Sequence, residues 1–455
     1  MKKQILTLSF TLCSFAALQA QVAQPFQAGF PSELSIGHTW NRSLVKKAGQ
    51  VIGAQLNEQK QTKVISPNLS VIQPGQKNYL PFYGESPYLV AETGVEMVKG
   101  LQNNGQLKAT LCITPEEAKA TYVSPYKRVL TEAKAEGGIQ TNKEGFDTAT
   151  ANIKNRLATS SAKGMQETES LKDFKKTALQ VAHESIVLLK NAGNTLPLDT
   201  LTAQTIALYG NKALTAQMLP ALKQKLGTQS RVFVLAETLE EISKADLIIA
   251  LVEDEINEQA LKPILSAGKP VVLTLFNSHP VSLKNISSYI PAILEAWHPG
   301  EAGPEAIANV LTGAYNPGGK LTVAFPEYPM GHGLSYTTFR YTDLTLEPQR
   351  ITTEESVTVR FKVTNTGTRA GGEVVQVYLV DENASVPLLS PKLEAYKRTN
   401  IQPGQTKEIK FTIRRRNMEL LNSAGEWVIE PGRFYVQVGA SSNDIRLIGD
   451  FEVVR

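Results

Sequence analysis

The side chains whose grouping could do chemistry are carboxylates. Glu253, Asp254, Glu255 and Glu258 cluster where the apolar run "LIIALV" gives way to polar sequence. Carboxyl groups can pass protons or attack an electrophile when a fold brings two of them together. The cluster also has a plainer reading, in which Asp254 and Glu255 favour a helix N-terminus through its dipole. A further acid, Asp147, lies in "GFDTATANIKNRL", where it reads as a solvated turn residue. The five histidines form no metal-ligand cluster, so no metal is expected. "YGNKAL" follows an apolar run with one glycine only, which argues against a phosphate loop and a nucleotide. No cofactor is expected.

The elements that must position these acids fall into three parts. Residues 170–330 alternate helical and strand patterns. "TIALYG", "RVFVLA", "LIIALV", "PVVLTLF" and "AILEAW" are apolar runs without alternation, as in strands covered on both faces. Amphipathic stretches separate them, so the expected fold is a mostly parallel sheet between helices. "SLKDFKKTALQVAHESIVLLKN" is read as one helix with Leu171, Phe174, Ala178, Val181 and Leu188 on a face, ended by Asn191 and Gly193. From about residue 345 the period becomes two. Val357, Val359, Phe361 and Val363 share one face, and "NTGTRAGG", "QPGQ" and "EPGR" supply turns, which predicts an antiparallel β-sandwich. Between these parts, 331–344 is a connector within the Gly-, Pro- and aromatic-rich stretch 316–341. Its rings are expected to pack on both neighbours, since flexible tethers are rich in Gly and Ser instead.

The first part is less patterned. "NRSLVKKAGQVIGAQL" and "SPYLVAETGVEMVKGLQ" read as amphipathic helices and "KVISPNLSVI" as a strand. The chain is polar from Glu132 to Ser170. "MKKQILTLSFTLCSFAALQAQ" has two lysines, an apolar run and small residues, the pattern of a leader cleaved near Ala20. This predicts a secreted or periplasmic protein whose one remaining cysteine, Cys112, has no internal partner. No other run is long and apolar enough to span a bilayer. A net charge of +4, with Lys2 and Lys3 in the leader, gives no case for nucleic acid.

The motifs "ESIVLLKNAGNTLPL", "AILEAWHPGEAGPEAIANVLTGAYNPGGKLTVAFP" and "GHGLSYTTFRYTDL" resemble glycoside hydrolase family 3, the β-glucosidase and β-xylosidase family. "VTVRFKVTNTGTRAGGEVVQVYL", "LEAYKRTNIQPGQTKEIKFTI" and "EWVIEPGRFYVQVGASS" resemble its fibronectin type III-like domain. "FPSELSIGHTWNRSLV" and "FYGESPYLVAETGVEMVKGLQ" resemble parts of its barrel more faintly. The resemblance implies α/β plus all-β architecture: the remnant of a (β/α)₈ barrel at 21–169, an α/β sandwich at 170–330 and a fibronectin type III-like β-sandwich at 345–455. It implies a carbohydrate partner and an ancestral reaction, retaining hydrolysis of terminal β-glucosides or β-xylosides.

The family's catalytic parts are hard to place on this chain. The resemblance implies a nucleophile in a "GF.VSDW"-like strand, and Asp147 is the nearest candidate. It implies an acid/base on a loop after "LIIALV", for which Glu253 and Glu255 are the candidates. The sugar-gripping arginine and Lys-His pair of the family meet "IQPGQKNYLPFYGES" and "LKATLCITPEEAK" here, without match. Trp40, Trp297 and His298 are candidates for a sugar-facing surface, although Trp297 ends a core-like strand. A closed (β/α)₈ barrel takes about 200–250 residues, whereas 21–169 number 149. A partial barrel leaves strand edges open, so a protein partner is one expectation. Lost or much reduced catalysis is the main one. A non-catalytic carbohydrate- or partner-binding protein and a hydrolase with a rearranged carboxylate pair are the alternatives.

Overall fold

The computed structural model describes residues 29–72, 78–112, 128–129, 131–135, 139–140, 168–235, 239–386 and 391–455. The leader, Asp147 and most of the polar tract before residue 168 lie outside the described residues.

The first layer holds α1 (Glu33–His38), α2 (Arg42–Glu58), β1 (Lys63–Asn68), α3 (Pro87–Leu101), β2 (Lys108–Cys112) and β3 (Ile139–Gln140). Side-chain oxygens of Ser32, Asn41 and Ser86 cap the three helices. Such caps satisfy backbone donors that a helix start leaves unpaired. β1, β2 and β3 form a parallel three-stranded sheet. Gly49 and Gly100 let α2 and α3 touch backbone to backbone; a Cβ on Gly49 would meet the Met97 carbonyl oxygen at 2.6 Å.

The second layer starts with α4 (Glu169–Ser185), β4 (Val187–Asn191), β5 (Thr205–Gly210), α5 (Lys212–Leu226) and β6 (Arg231–Val234). It continues with α6 (Leu239–Ser243), β7 (Leu247–Glu253), α7 (Glu258–Leu265), β8 (Val271–Phe276), β9 (Ala292–Glu295) and α8 (Gly303–Leu311). The sheet order is β4-β9-β8-β7-β5-β6, with β4 antiparallel to β9 and the other four pairings parallel. Successive residues of β7 point to opposite faces. Ile249 and Leu251 pack with α4, α5 and α8, while Ile248 and Ala250 pack with α6 and α7. Coverage on both faces explains the uninterrupted apolar runs. The helix read through Leu188 stops at Ser185, and residues 187–191 form an edge strand instead. β-Branched Ile186 and Val187 favour the extended chain, and pairing with β9 buries Val187, Leu188 and Leu189.

The third layer is a β-sandwich. β10 (Phe339–Glu347), β12 (Val357–Asn365) and β15 (Thr406–Ile413) form one sheet. β11 (Arg350–Thr352), β17 (Asp444–Val454), β16 (Gly432–Ser441), β13 (Gly371–Asp381) and β14 (Lys392–Ile401) form the other. Val357, Val359, Phe361 and Val363 are all buried between the sheets. The connector is packed on both neighbours: Tyr336 donates its hydroxyl to the Val310 carbonyl at 2.9 Å, and Phe339 lies against the sandwich core.

Candidate functional site at the carboxyl edge of the α/β sheet

From β5 the chain steps outward to β6, then returns to β7 on the opposite side of β5. Open α/β sheets take ligands outside the carboxyl ends of strands at such a reversal. Here that crevice is framed by Gly210 and Asn211 after β5 and by Glu253 and Asp254 at the end of β7. Gly210 has φ +124°, and a Cβ there would lie 2.1 Å from the Leu251 carbonyl oxygen. Only glycine fits.

Asn211 has two tasks. Its Oδ1 caps α5 by accepting from the Ala213 N–H at 2.7 Å, and its Nδ2 donates to Glu253 Oε2 at 2.7 Å. Glu253 Oε1 is buried with no hydrogen-bond partner. Burial pushes the Glu253 carboxyl above its ordinary range, opposed by the Asn211 bond and reinforced by the charge of Asp254. Glu255 is exposed and turned into solvent-facing chain before α7. Asp254 does not serve the helix N-terminus. It adopts φ +42° and accepts from the Ser278 N–H at 2.5 Å and hydroxyl at 2.6 Å, tying β7 to the loop after β8. Asn257 caps α7 in its place, accepting from the Ala260 N–H at 3.1 Å. Asn211→Ala should therefore cost about 1 kcal/mol from the lost cap and raise the Glu253 pKa further. Thermal melts and an NMR titration of the Glu253 carboxyl check both effects.

The neighbouring strand ends are closed off. Glu295, fully buried at the end of β9, accepts from Asn277 Nδ2 at 2.7 Å and from the Trp297 N–H at 2.8 Å. Burial holds this carboxyl well above the usual range despite those bonds. Over it lies α1. The Ser32 N–H and the Ser35 hydroxyl both donate to the His298 carbonyl at 3.1 Å. The His38 ring lies 4.6 Å from that of Trp297. His38 Nδ1 donates to the Leu34 carbonyl at 2.7 Å, and Nε2 accepts from the Thr322 N–H at 3.2 Å. This pair of bonds fixes one neutral tautomer, and burial lowers the His38 pKa to about 3.

The three aromatic candidates are interior residues. Trp297 is 0% exposed and packs on His38 and Phe325. His298 is 7% exposed. Trp40 is 1% exposed, donates its indole N–H to the Lys320 carbonyl at 2.9 Å and meets the Tyr396 ring edge-on. None presents an open ring face for stacking. The structure therefore brings Glu253 to the crevice, leaves Glu255 on the surface and buries Trp40, Trp297 and His298. Sequence reading missed Glu295, His38 and Arg398. Arg398 on β14 donates to the carbonyls of Thr39 at 3.0 Å and Gly318 at 2.7 Å, and pairs with Glu184 of α4 at 3.1 Å. It thereby joins all three layers. A lone acid inside the apolar run "AILEAW" is the one sequence signal that pointed to Glu295.

The family profile described as "Glycosyl hydrolase family 3 C-terminal domain" matches residues 186–362, and that of the "Fibronectin type III-like domain" matches residues 373–442. The chain is similar to a β-xylosidase of Formosa agariphila, 30% identical over 59% of this chain and 49% of that protein. It is also similar to a periplasmic β-glucosidase of Salmonella typhimurium, 26% identical over 62% of this chain and 50% of that protein. The chain thus spans about half the length of the curated relatives it matches. Among solved structures, a β-glucosidase from Erythrobacter marinus shares the fold with a TM-score of 0.78 at 19% identity, over 94% of this chain and 86% of that one. A Listeria innocua β-glucosidase in complex with isofagomine gives 0.76 at 21% identity, over 94% and 87%. Residues 186–362 thus carry the C-terminal domain of glycosyl hydrolase family 3, and residues 373–442 a fibronectin type III-like domain.

Proposed function

We propose that this chain is a secreted or periplasmic carbohydrate-binding derivative of a family 3 glycosidase, with β-glucoside or β-xyloside hydrolysis lost or much reduced. Its first layer, with three parallel strands and their helices, is read as the remnant of a (β/α)₈ barrel. Its second layer corresponds to an α/β sandwich at 170–330 and its third to the fibronectin-like unit at 345–455. One observation carries the reading. The segment after β9 is covered by α1 and its cap through Ser32, Ser35 and His38, and the segment after β8 by Tyr79, which donates its N–H to the Ser278 carbonyl at 2.7 Å. A retaining glycosidase needs two carboxyl groups about 5–5.5 Å apart across an open sugar site. At this edge the buried acid Glu295 is enclosed, and Glu253 at the end of β7 is only half-buried.

A second reading is kept by Glu253 itself. A raised pKa with one free oxygen suits a general acid, and a hydrolase with a rearranged acid pair would use it. Aryl β-glucoside and β-xyloside turnover by the wild type and Glu253→Gln separates the two. Binding of gluco- or xylo-oligosaccharides without turnover supports the first reading. Turnover that Glu253→Gln abolishes supports the second. A protein partner along the β1–β3 sheet belongs to the first reading and would be found as a stable complex in solution.

A further inference from the structure

A chain of charges runs along the contact between the first layer and the β-sandwich. Glu92 of α3, 6% exposed, uses one carboxylate oxygen for each of two arginines: Oε2 pairs with Arg42 at 2.9 Å and Oε1 with Arg128 at 2.5 Å. Arg42 opens α2 and lays its guanidinium over the ring of Tyr396 on β14, 4.8 Å from the centroid. Arg128 bonds onward to Glu132 at 3.0 Å, and Glu132 pairs with Arg416 of the sandwich at 3.0 Å. The two layers are thus joined by alternating charges that end on sandwich residues at both sides, Tyr396 and Arg416.

Apolar contact accompanies this chain. Trp40 and Leu89 pack against Val374, Tyr378 and Tyr396. Apolar contact is non-directional and tolerates sliding. Guanidinium–carboxylate bonds have fixed fork geometry. Glu92 and Arg128 are largely buried while Arg42 reaches the surface; ion pairs taken out of water add little net stability over apolar residues, and their best-attested use is to fix register.

We propose that the Arg42–Glu92–Arg128 triad is an orientation lock. It selects one docking angle of the first layer on the β-sandwich, adding direction to the apolar contact of Trp40 and Leu89. Uncharging Glu92 leaves Arg42 facing Arg128 without a carboxylate between them, and Arg128 with Glu132 as its counter-ion. The layer then samples several angles while its apolar contact persists.

Spin labels at Asn104→Cys and Gln402→Cys, both exposed positions, with Cys13→Ser and Cys112→Ser in the full chain, report the angle by pulsed electron–electron resonance. The lock predicts one narrow distance in the otherwise unaltered protein and a broad or split distribution in Glu92→Gln. Hydrogen exchange of the α3 amides should rise at least tenfold in Glu92→Gln, with α8 amides unchanged. Arg416→Gln, at an exposed end of the chain, should give a smaller broadening in a protein that folds normally. If Glu92→Gln keeps the narrow distance and α3 protection, or if Arg416→Gln alters nothing while Glu92→Gln unfolds the whole chain uniformly, the triad is no orientation lock.

Discussion

Arg398→Ala should lower the melting temperature by roughly 10 °C. The arginine is 9% exposed at its side chain and is bonded to three separate parts of the protein. Its removal leaves Glu184 buried with only Asn41 at 2.8 Å and Gln180 at 3.1 Å as donors. It also strips two buried carbonyls of a charged donor. Breaking a buried ion pair from one side costs about 3–5 kcal/mol. For domains of this size each kcal/mol corresponds to about 2–4 °C. Arg398→Lys should recover only part of the loss, because a point-like ammonium cannot serve three acceptors in one plane. Differential scanning calorimetry gives the answer; a shift below about 1 °C for Arg398→Ala would show that the three layers are held elsewhere.

The second large effect is on pH. His38 is buried as a neutral ring with its pKa lowered to about 3 from 6.5. A depressed pKa means the folded protein disfavours the proton. The corresponding stability is whole above about pH 6.5 and is lost as pH falls toward 3. At about 1.4 kcal/mol per unit, some 3 kcal/mol should be gone by pH 4.5. Glu295 acts with opposite sign. Its folded pKa is raised, so the stability it contributes is present below the usual carboxylate range and is lost as pH rises through the folded value. The stability profile should therefore fall on both flanks. His38→Asn should flatten the acid flank, since an amide keeps the Nδ1-side bond to the Leu34 carbonyl and carries no titrating proton. Glu295→Gln should flatten the alkaline flank. Asn277 Oδ1 has no partner, so its amide can turn to accept from the new glutamine. Urea melts from pH 4 to 9 test both arms, and identical flanks in wild type and variants would remove these two residues as the cause.

The strands of the second layer were readable because each apolar run exceeds what an amphipathic helix allows, and both faces of the sheet are indeed covered. Val357 to Val363 were readable because alternation has a single explanation in a two-sheet sandwich. The boundary at Ser185 was not. Leu188 lies in register with the helical face that precedes it, and only pairing with β9 decides that the chain extends there. Glu253 was legible as an acid at a strand end, but its Asn211 partner comes from a different strand 42 residues away. Glu295 showed only as a lone acid in the apolar run "AILEAW", whereas His38 and Arg398 were illegible for the same reason as that partner. Each owes its importance to groups that folding delivers from other layers, and nothing next to it in the chain announces them. The burial of Trp40, Trp297 and His298 was illegible from the opposite cause. A tryptophan in sequence looks the same whether its ring will face solvent or, as with Trp297, a buried histidine.

Turnover of aryl β-glucosides and β-xylosides by the protein bears most directly on the central claim. Loss of a catalytic unit's nucleophile typically costs on the order of 10⁴–10⁶ in rate. With the segment after β9 covered by α1 and that after β8 by Tyr79, the expected result is turnover far below about 1 s⁻¹, the low end for working enzymes, and unchanged by Glu253→Gln. A rate above about 1 s⁻¹ that disappears in Glu253→Gln would contradict the account and make this chain a working glycosidase.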